Sequence, residues 1–336
     1  MKKRITIKDI AKELNVHHST VSRALRNDPR VNAKTIDQVL AYARENEYQT
    51  NMNAVQLRGT SNKAIALIVP NINHSFFSDI VSQLTNLAYQ KGYVISVFQT
   101  NEKYELEKEI VKTIIQHNFA GVIVSKAKDT INCEHFSSLN KFGIPLVFFD
   151  RICEDISSPR VIVNNFEITA HATEYLIKKG YRNIVHITGS TSNNVFRDRQ
   201  NGYESIIKKY KMEYQQSIVI EDDFNVDIGK GIFTNLLSSL VHPDAIISSS
   251  VHITLGIMLE ARKMKILIPQ ALGLITFGSL LSSEIIEPQI TYIEQPETEI
   301  AQLSFDLLEK MIHREIQIGE LIEKTVQAHI IFKESC

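Results

Sequence analysis

The segment Thr6–Arg26, TIKDIAKELNVHHSTVSRALR, constrains this chain more than any other stretch. Ile7, Ile10, Ala11 and Leu14 fall at i, i+3, i+4 and i+7, which is one face of an α-helix. Thr6 stands at the N-cap position, and Asp9 puts a negative charge where the helix end is positive. Asn15-Val16-His17 breaks the pattern, and Val21, Ala24 and Leu25 then give a second helix a short apolar face. The other face of that helix carries His18, Ser19, Ser22, Arg23 and Arg26, all hydrogen-bond donors. A small helix with a donor-rich outer face fits the DNA major groove. A plain helical hairpin with a solvated face has the same pattern, so charge and the rest of the chain must decide between them.

The formal net charge of −1 over 336 residues hides an asymmetry. Residues 1–60 hold eleven Lys and Arg against six Asp and Glu, a balance of +5 that leaves −6 on the remainder. A basic head on an acidic body points to a polyanionic partner met by the head alone. No apolar run is long enough to span a membrane. Lys2, Lys3 and Arg4 lead into the hairpin pattern rather than into an apolar export signal, so the cytoplasm is the expected location. Cys133, Cys153 and Cys336 are few and widely spaced; neither a disulfide framework nor a zinc site is expected.

A third helix is expected from about Ala33 to Asn46, capped by Asn32, with Ile36, Val39, Leu40 and Ala43 on its apolar stripe. Ile10, Leu14, Val21, Leu25, Val39 and Leu40 would form a small core for the head, residues 1–50. Residues 51–62 read as a linker, with Asn53–Arg58 long enough for about one and a half helical turns. Such a helix is unstable alone. From Lys63 short apolar runs alternate with amphipathic stretches. Strands are expected at Ile65–Pro70, Val94–Gln99, Gly121–Val124, Leu146–Asp150, Val161–Asn164, Ile184–Thr188, Ala245–Ser248, Leu274–Phe277, Ile290–Ile293 and, last, Thr325–Phe332. Helices are expected near Phe77–Gln90, Glu105–Asn118, Ile168–Lys179, Gln200–Lys211, Ile228–Leu240 and Thr254–Lys263. This alternation implies parallel sheets covered on both faces, and there are enough units for two doubly wound α/β subdomains. Ligands in such folds sit at the carboxyl ends of strands.

At this point the chain resembles the lac repressor family of bacterial transcription regulators. The matching pieces are TIKDIAKELNVHHSTVSRALRNDPRVNAKT, NAVQLRGTSN, IALIVPNINHSFFSDIV, LVFFDR, GYRNIVHITG, RDRQNGYESII and PQITYIEQP. The resemblance implies a helix-turn-helix head, a hinge helix and a core of periplasmic-binding-protein type. That core divides into an N-subdomain of about 63–162 and 296–320 and a C-subdomain of about 163–292 and 323–336. It further implies a homodimer on a near-palindromic double-stranded DNA operator, governed by a small effector, a sugar or sugar derivative.

By position, the resemblance implies base contacts from His18, Ser19 and Arg23. Arg23 is able to bridge O6 and N7 of guanine. Thr6, Thr20, Ser22 and Arg26 would meet phosphates. His17, also a DNA contact by position, stands where the family has Ser, and the His17-His18 pair lacks a third ligand for a metal. In the hinge, Asn53, Ala54 and Leu57 would contact DNA, Leu57 occupying the place of the leucine wedged into the minor groove. The implied effector pocket holds Asn71, His74, Phe76, Asp150, Arg199, Phe224 and Ser250.

Three places depart from the family pattern. Ser250-Val251 replaces Asn-Asp, Gly278-Ser279 replaces the Asp after Gly-Phe, and His74-Ser75 replaces Asn-Pro. Fewer acids with Arg151, Arg197 and Arg199 retained favour an anionic ligand; a pocket with no small ligand is the other reading. No P-loop, GxGxxG, GxSxG or HExxH is present, and no cofactor is expected. The reading is a ligand-responsive repressor. An activator of the same family and an α/β enzyme carrying a DNA-binding head are its alternatives. The chain closes without a heptad run, which favours a dimer over a tetramer.

Overall fold

The computed structural model describes residues 5–46, 48, 63–213, 216–221, 224–239, 242–278 and 286–336. The chain divides into two compact units at Asn62/Lys63.

The first unit contains α1 (Ile7–Glu13), α2 (His18–Ala24) and α3 (Ala33–Glu45). Each start has a chemical cause. Thr6 and Asp9 form a reciprocal capping box, His17 Nδ1 accepts the Ser19 N–H, and Asn32 Oδ1 accepts the Lys34 N–H. Asn15, at φ 49°, makes the left-handed turn between α1 and α2. Ile10, Ala11, Val21, Ala24, Val39 and Ala43 are buried together. Leu14 and Leu25 pack on this core only partly, and Leu40 is half-buried. The centre is therefore built from smaller side chains than the leucine pattern suggests.

The second unit is two six-stranded sheets with helices on their faces. In chain order its elements are β1 (Ala64–Val69), α4 (Ser75–Gln90), β2 (Val94–Gln99), α5 (Tyr104–Gln116), β3 (Gly121–Val124), α6 (Glu134–Lys141), β4 (Leu146–Phe149) and β5 (Arg160–Val163). Then follow α7 (Asn165–Lys178), β6 (Ile184–Gly189), α8 (Asn194–Lys209), β7 (Gln216–Ile220), α9 (Val226–Leu237), β8 (Ala245–Ser248), α10 (Val251–Lys263) and β9 (Gly273–Phe277). The chain closes with β10 (Thr291–Glu294), α11 (Glu297–Ile312), β11 (Glu323–Val326) and β12 (His329–Ile331). The sheet orders are β11-β5-β4-β3-β1-β2 and β12-β10-β9-β8-β6-β7. Among the described residues only β12 runs antiparallel to its neighbour. The central strands are buried on both faces, which is why they read as unbroken apolar runs.

Close helix pairing depends on two glycines. A Cβ on Gly202 would stand 2.3 Å from the Phe166 carbonyl oxygen, and one on Gly256 would stand 2.1 Å from that of Val226. These gaps let α7 meet α8 and α9 meet α10.

Two expectations are corrected. The final strand expected at Thr325–Phe332 is two strands. β11 joins the first sheet beside β5, and the chain crosses at Gln327-Ala328 to place β12 on the second. Residues 323–326 thus belong with the N-subdomain; the strand pattern of 325–332 carries no sign of which sheet each half pairs with. The cysteines are not all free either. Cys133 and Cys153 form a disulfide with Cα atoms 6.1 Å apart, while Cys336 is free. The packing of α6 beside the segment after β4 brings the two together, a proximity that their separation of 20 residues does not display.

Candidate nucleic-acid interface and ligand cleft

On α2, Val21 and Ala24 face the core, whereas His18 and Arg23 are exposed and Ser19, Thr20 and Ser22 are half-buried. The donors expected to read DNA therefore lie on the solvent side of the helix. His17 is exposed as well, but its ring is occupied: Nδ1 lies 2.8 Å from Ser19 Oγ, so it holds the start of the helix. The Thr6 hydroxyl donates to Asp9 at 2.7 Å, and its oxygen accepts the Asp9 N–H. Its first task is to cap α1, which limits what it offers a phosphate. Arg26 is exposed and folds back, Nε donating to the Ser22 carbonyl at 3.1 Å. Asn53, Ala54 and Leu57 lie outside the described residues.

In the second unit a cavity of about 140 Å³ opens at the carboxyl ends of strands from both sheets. His74, Phe76, Asp150, Arg199, Phe224 and Ser250 all line it. Asn71 does not; its carboxamide closes a turn by accepting the Asn73 N–H at 2.9 Å. Five phenylalanines, Phe76, Phe77, Phe196, Phe224 and Phe277, give the cavity apolar walls. Ser190, Ser192, Asn193 and Ser249 add hydroxyl and amide groups from the second sheet's side.

Arg199 is 4% exposed. Its Nε donates to Asn165 Oδ1 at 2.8 Å, and the guanidinium lies 3.4 Å from the centre of the Phe277 ring. Burial lowers its pKa to about 9. Asp150, at the end of β4, is buried with φ 56°, a left-handed conformation that costs a β-carbon residue about 1 kcal/mol or more. Burial pushes its carboxyl upward, opposed by Arg151 and Arg199. Arg151, retained from the expected arginine cluster, is neutralised: its Nη1 donates to both carboxylate oxygens of Glu102, at 2.9 and 2.8 Å. Arg197 likewise pairs with Glu154. Of the three arginines, only Arg199 has no carboxylate within ion-pairing distance among the described residues. The partners Glu102 and Glu154 lie 49 and 43 residues away in sequence, beyond the reach of local pattern.

The two halves of the cleft are tied by polar contacts. Asn194, at the start of α8, accepts the Ile152 N–H at 3.0 Å and donates to the Asp150 carbonyl at 2.9 Å. Lys128 Nζ donates to the Glu221 carbonyl at 2.9 Å. The His74 and His252 rings meet edge-on, with centroids 6.0 Å apart. Glu107, fully buried, braces the loop that carries Lys128 by accepting the Ala127 N–H at 2.7 Å and the Thr130 hydroxyl at 2.6 Å. Sequence reasoning missed Glu102, Lys128, Asn193 and His252 as lining residues.

Residues 6–51 match the model of bacterial regulatory proteins of the lacI family. Residues 62–330 match that of periplasmic binding proteins and the sugar-binding domain of the LacI family. The ribose operon repressor of Halalkalibacterium halodurans is 28% identical over 309 residues, 92% of this chain and 91% of the relative. Catabolite control protein A of Priestia megaterium is 24% identical, covering 95% and 96%. The crystal structure of the lac repressor dimer bound to operator and the anti-inducer ONPF superposes with a TM-score of 0.85 at 20% identity, covering 99% of each chain. The CelR–cellobiose complex gives 0.73 at 22% identity, covering 99% and 100%. These relatives are regulators, not enzymes, and no helix among the described residues is long and apolar enough to cross a membrane. With both its head and its core matched in order, the chain belongs to the lacI family of bacterial regulatory proteins and is a DNA-binding transcription regulator.

Proposed function

We propose that the protein is a cytoplasmic repressor that binds a near-palindromic operator as a homodimer and responds to a carbohydrate or carbohydrate derivative in the cleft. The observation that carries the reading is the outward donor row of α2, exposed His18 and Arg23 with half-buried Ser19, on a helix whose opposite face is buried. Such a helix meets base edges directly, and a two-fold dimer presents two of them to half-sites about one or two helical turns apart. The solved complexes of the lac repressor with operator and of CelR with cellobiose support the same arrangement of partners. A ligand that prefers one closure state of the cleft shifts the operator-binding population; without that preference it shifts nothing.

Selection of genomic fragments on the purified full-length protein tests the reading. The expected outcome is a palindromic site whose affinity falls steeply with salt. No preference over bulk competitor at moderate salt, with or without small molecules, would overturn it. Leu57→Ala is expected to weaken operator binding in a gel shift and leave ligand binding intact, because an apolar wedge kinks the central step.

A further inference from the structure

The cavity between the sheets is richer in donors than in acids. Two helices begin on it, α4 with 16 residues and α10 with 13, and neither end is closed by a side-chain cap. Uncapped first-turn N–H groups and the positive end of the helix dipole favour an anion. An independent feature points the same way. Asn193, 2% exposed, leaves Nδ2 without a partner among the described residues, although its Oδ1 caps Val195. Arg199, 4% exposed, spends Nε on Asn165, and among the described residues no carboxylate ion-pairs with its guanidinium. Ser249 Oγ, on the same wall, is buried and unpartnered as well.

Three acids lie on this cavity, and each is accounted for. Glu102 is held by Arg151, and Glu221 is exposed. Asp150 is the one buried acid facing the space, and as an acceptor it suits ligand hydroxyls. On the second sheet's side the lining carboxylate among the described residues is that exposed Glu221, just after β7, while Ser250 and Gly278 stand at the ends of β8 and β9.

Building on the proposed ligand-responsive function, we propose that the ligand is an anionic small molecule, a sugar acid or a sugar phosphate, whose charged group is received by Arg199 and the open N-termini of α4 and α10. The hydroxyls of the same molecule meet Asp150 and the serines, and its apolar face lies on the phenylalanines. A guanidinium stacked on a ring and fixed at Nε presents its remaining N–H groups in a rigid fork, which suits two oxygens of a carboxylate or phosphate.

The test uses full-length protein without DNA. Inorganic phosphate, acetate, glucose, glucuronate and glucose 6-phosphate are titrated by calorimetry, and the Arg199 Nε–H resonance is followed by NMR in the wild-type protein. The expected result is binding of inorganic phosphate or acetate with movement of that resonance, and at least tenfold tighter binding of the matching charged sugar than of glucose. The phosphate and carboxylate arms separate the two sources of charge. Arg199→Gln, checked for folding by circular dichroism, is expected to lose at least tenfold in anion affinity. Binding of glucose with no response to any anion would overturn the anionic assignment and leave the carbohydrate reading standing. No response to any of the five probes would overturn the anionic assignment too. Operator release by a cell extract small-molecule fraction would then show whether the ligand-responsive reading survives.

Discussion

The Asn194 carboxamide accepts the buried Ile152 N–H at 3.0 Å and so joins the start of α8 to the segment after β4. Its Nδ2 satisfies the Asp150 carbonyl from the same position. Asn194→Ala would leave both backbone groups unpaired in a buried place, at a cost of about 1–3 kcal/mol. Urea unfolding is expected to show a lower midpoint with an unchanged slope.

Arg23 on α2 and Arg26 just past its end are both exposed but should fail differently. Arg23→Ala is expected to cost about 1–3 kcal/mol in operator affinity and to relax preference at one base pair. Arg26→Ala is expected to weaken binding evenly across sequences and to reduce the salt slope by about 1. Binding isotherms on operator and scrambled duplex at several salt concentrations separate the two.

Buried His186 and half-buried Glu297 should give stability opposite pH slopes. Burial, with Arg199 next, lowers the His186 pKa from 6.5 to about 3, so the folded protein keeps the ring neutral while the unfolded chain protonates. Its contribution is lost as pH falls from 6.5 toward 3. Burial, with Asp79 and Glu294 next, raises Glu297 from 4.5 to about 7. There the unfolded chain releases its proton first, and stability is lost as pH climbs from 4.5 to 7. His186→Phe is expected to flatten the acid limb, and Glu297→Gln to flatten the rise toward neutrality, in melting temperatures recorded from pH 4 to 8.

The Cys133–Cys153 bond closes a loop of 20 residues that carries α6, β4 and the cleft residues Asp150 and Arg151. Chain-entropy reasoning assigns such a closure about 3 kcal/mol. Wild-type protein is expected to lose that amount in urea unfolding when a reductant is added, whereas the Cys133→Ser/Cys153→Ser double variant should not respond.

Much of the core was legible because its strands are buried on both faces. Val94–Gln99, Gly121–Val124 and Ala245–Ser248 coincide with their expected limits, and most others shift by one residue. The helix α6 and the strand β7 carry weaker signals: α6 spans only eight residues, and β7 is half-exposed for most of its length. The cleft is legible as far as the family resemblance reaches, which implies His74, Asp150 and Arg199 by position. The neutralisation of Arg151 and Arg197 was not, since ion pairs between distant segments follow from packing. His17 shows the same limit: its place at the start of the recognition helix is legible in sequence, whereas its ring contact with Ser19 Oγ is not.

The edge strand β11 enters the first sheet only after five of the second sheet's six strands, β6 to β10, have been threaded between it and β5. A ribosome must therefore deliver at least 326 residues before that sheet has all its strands. The N-terminal unit carries its own small core within its first 48 residues, so it is positioned to acquire structure during synthesis, long before the sensing half of the molecule is complete.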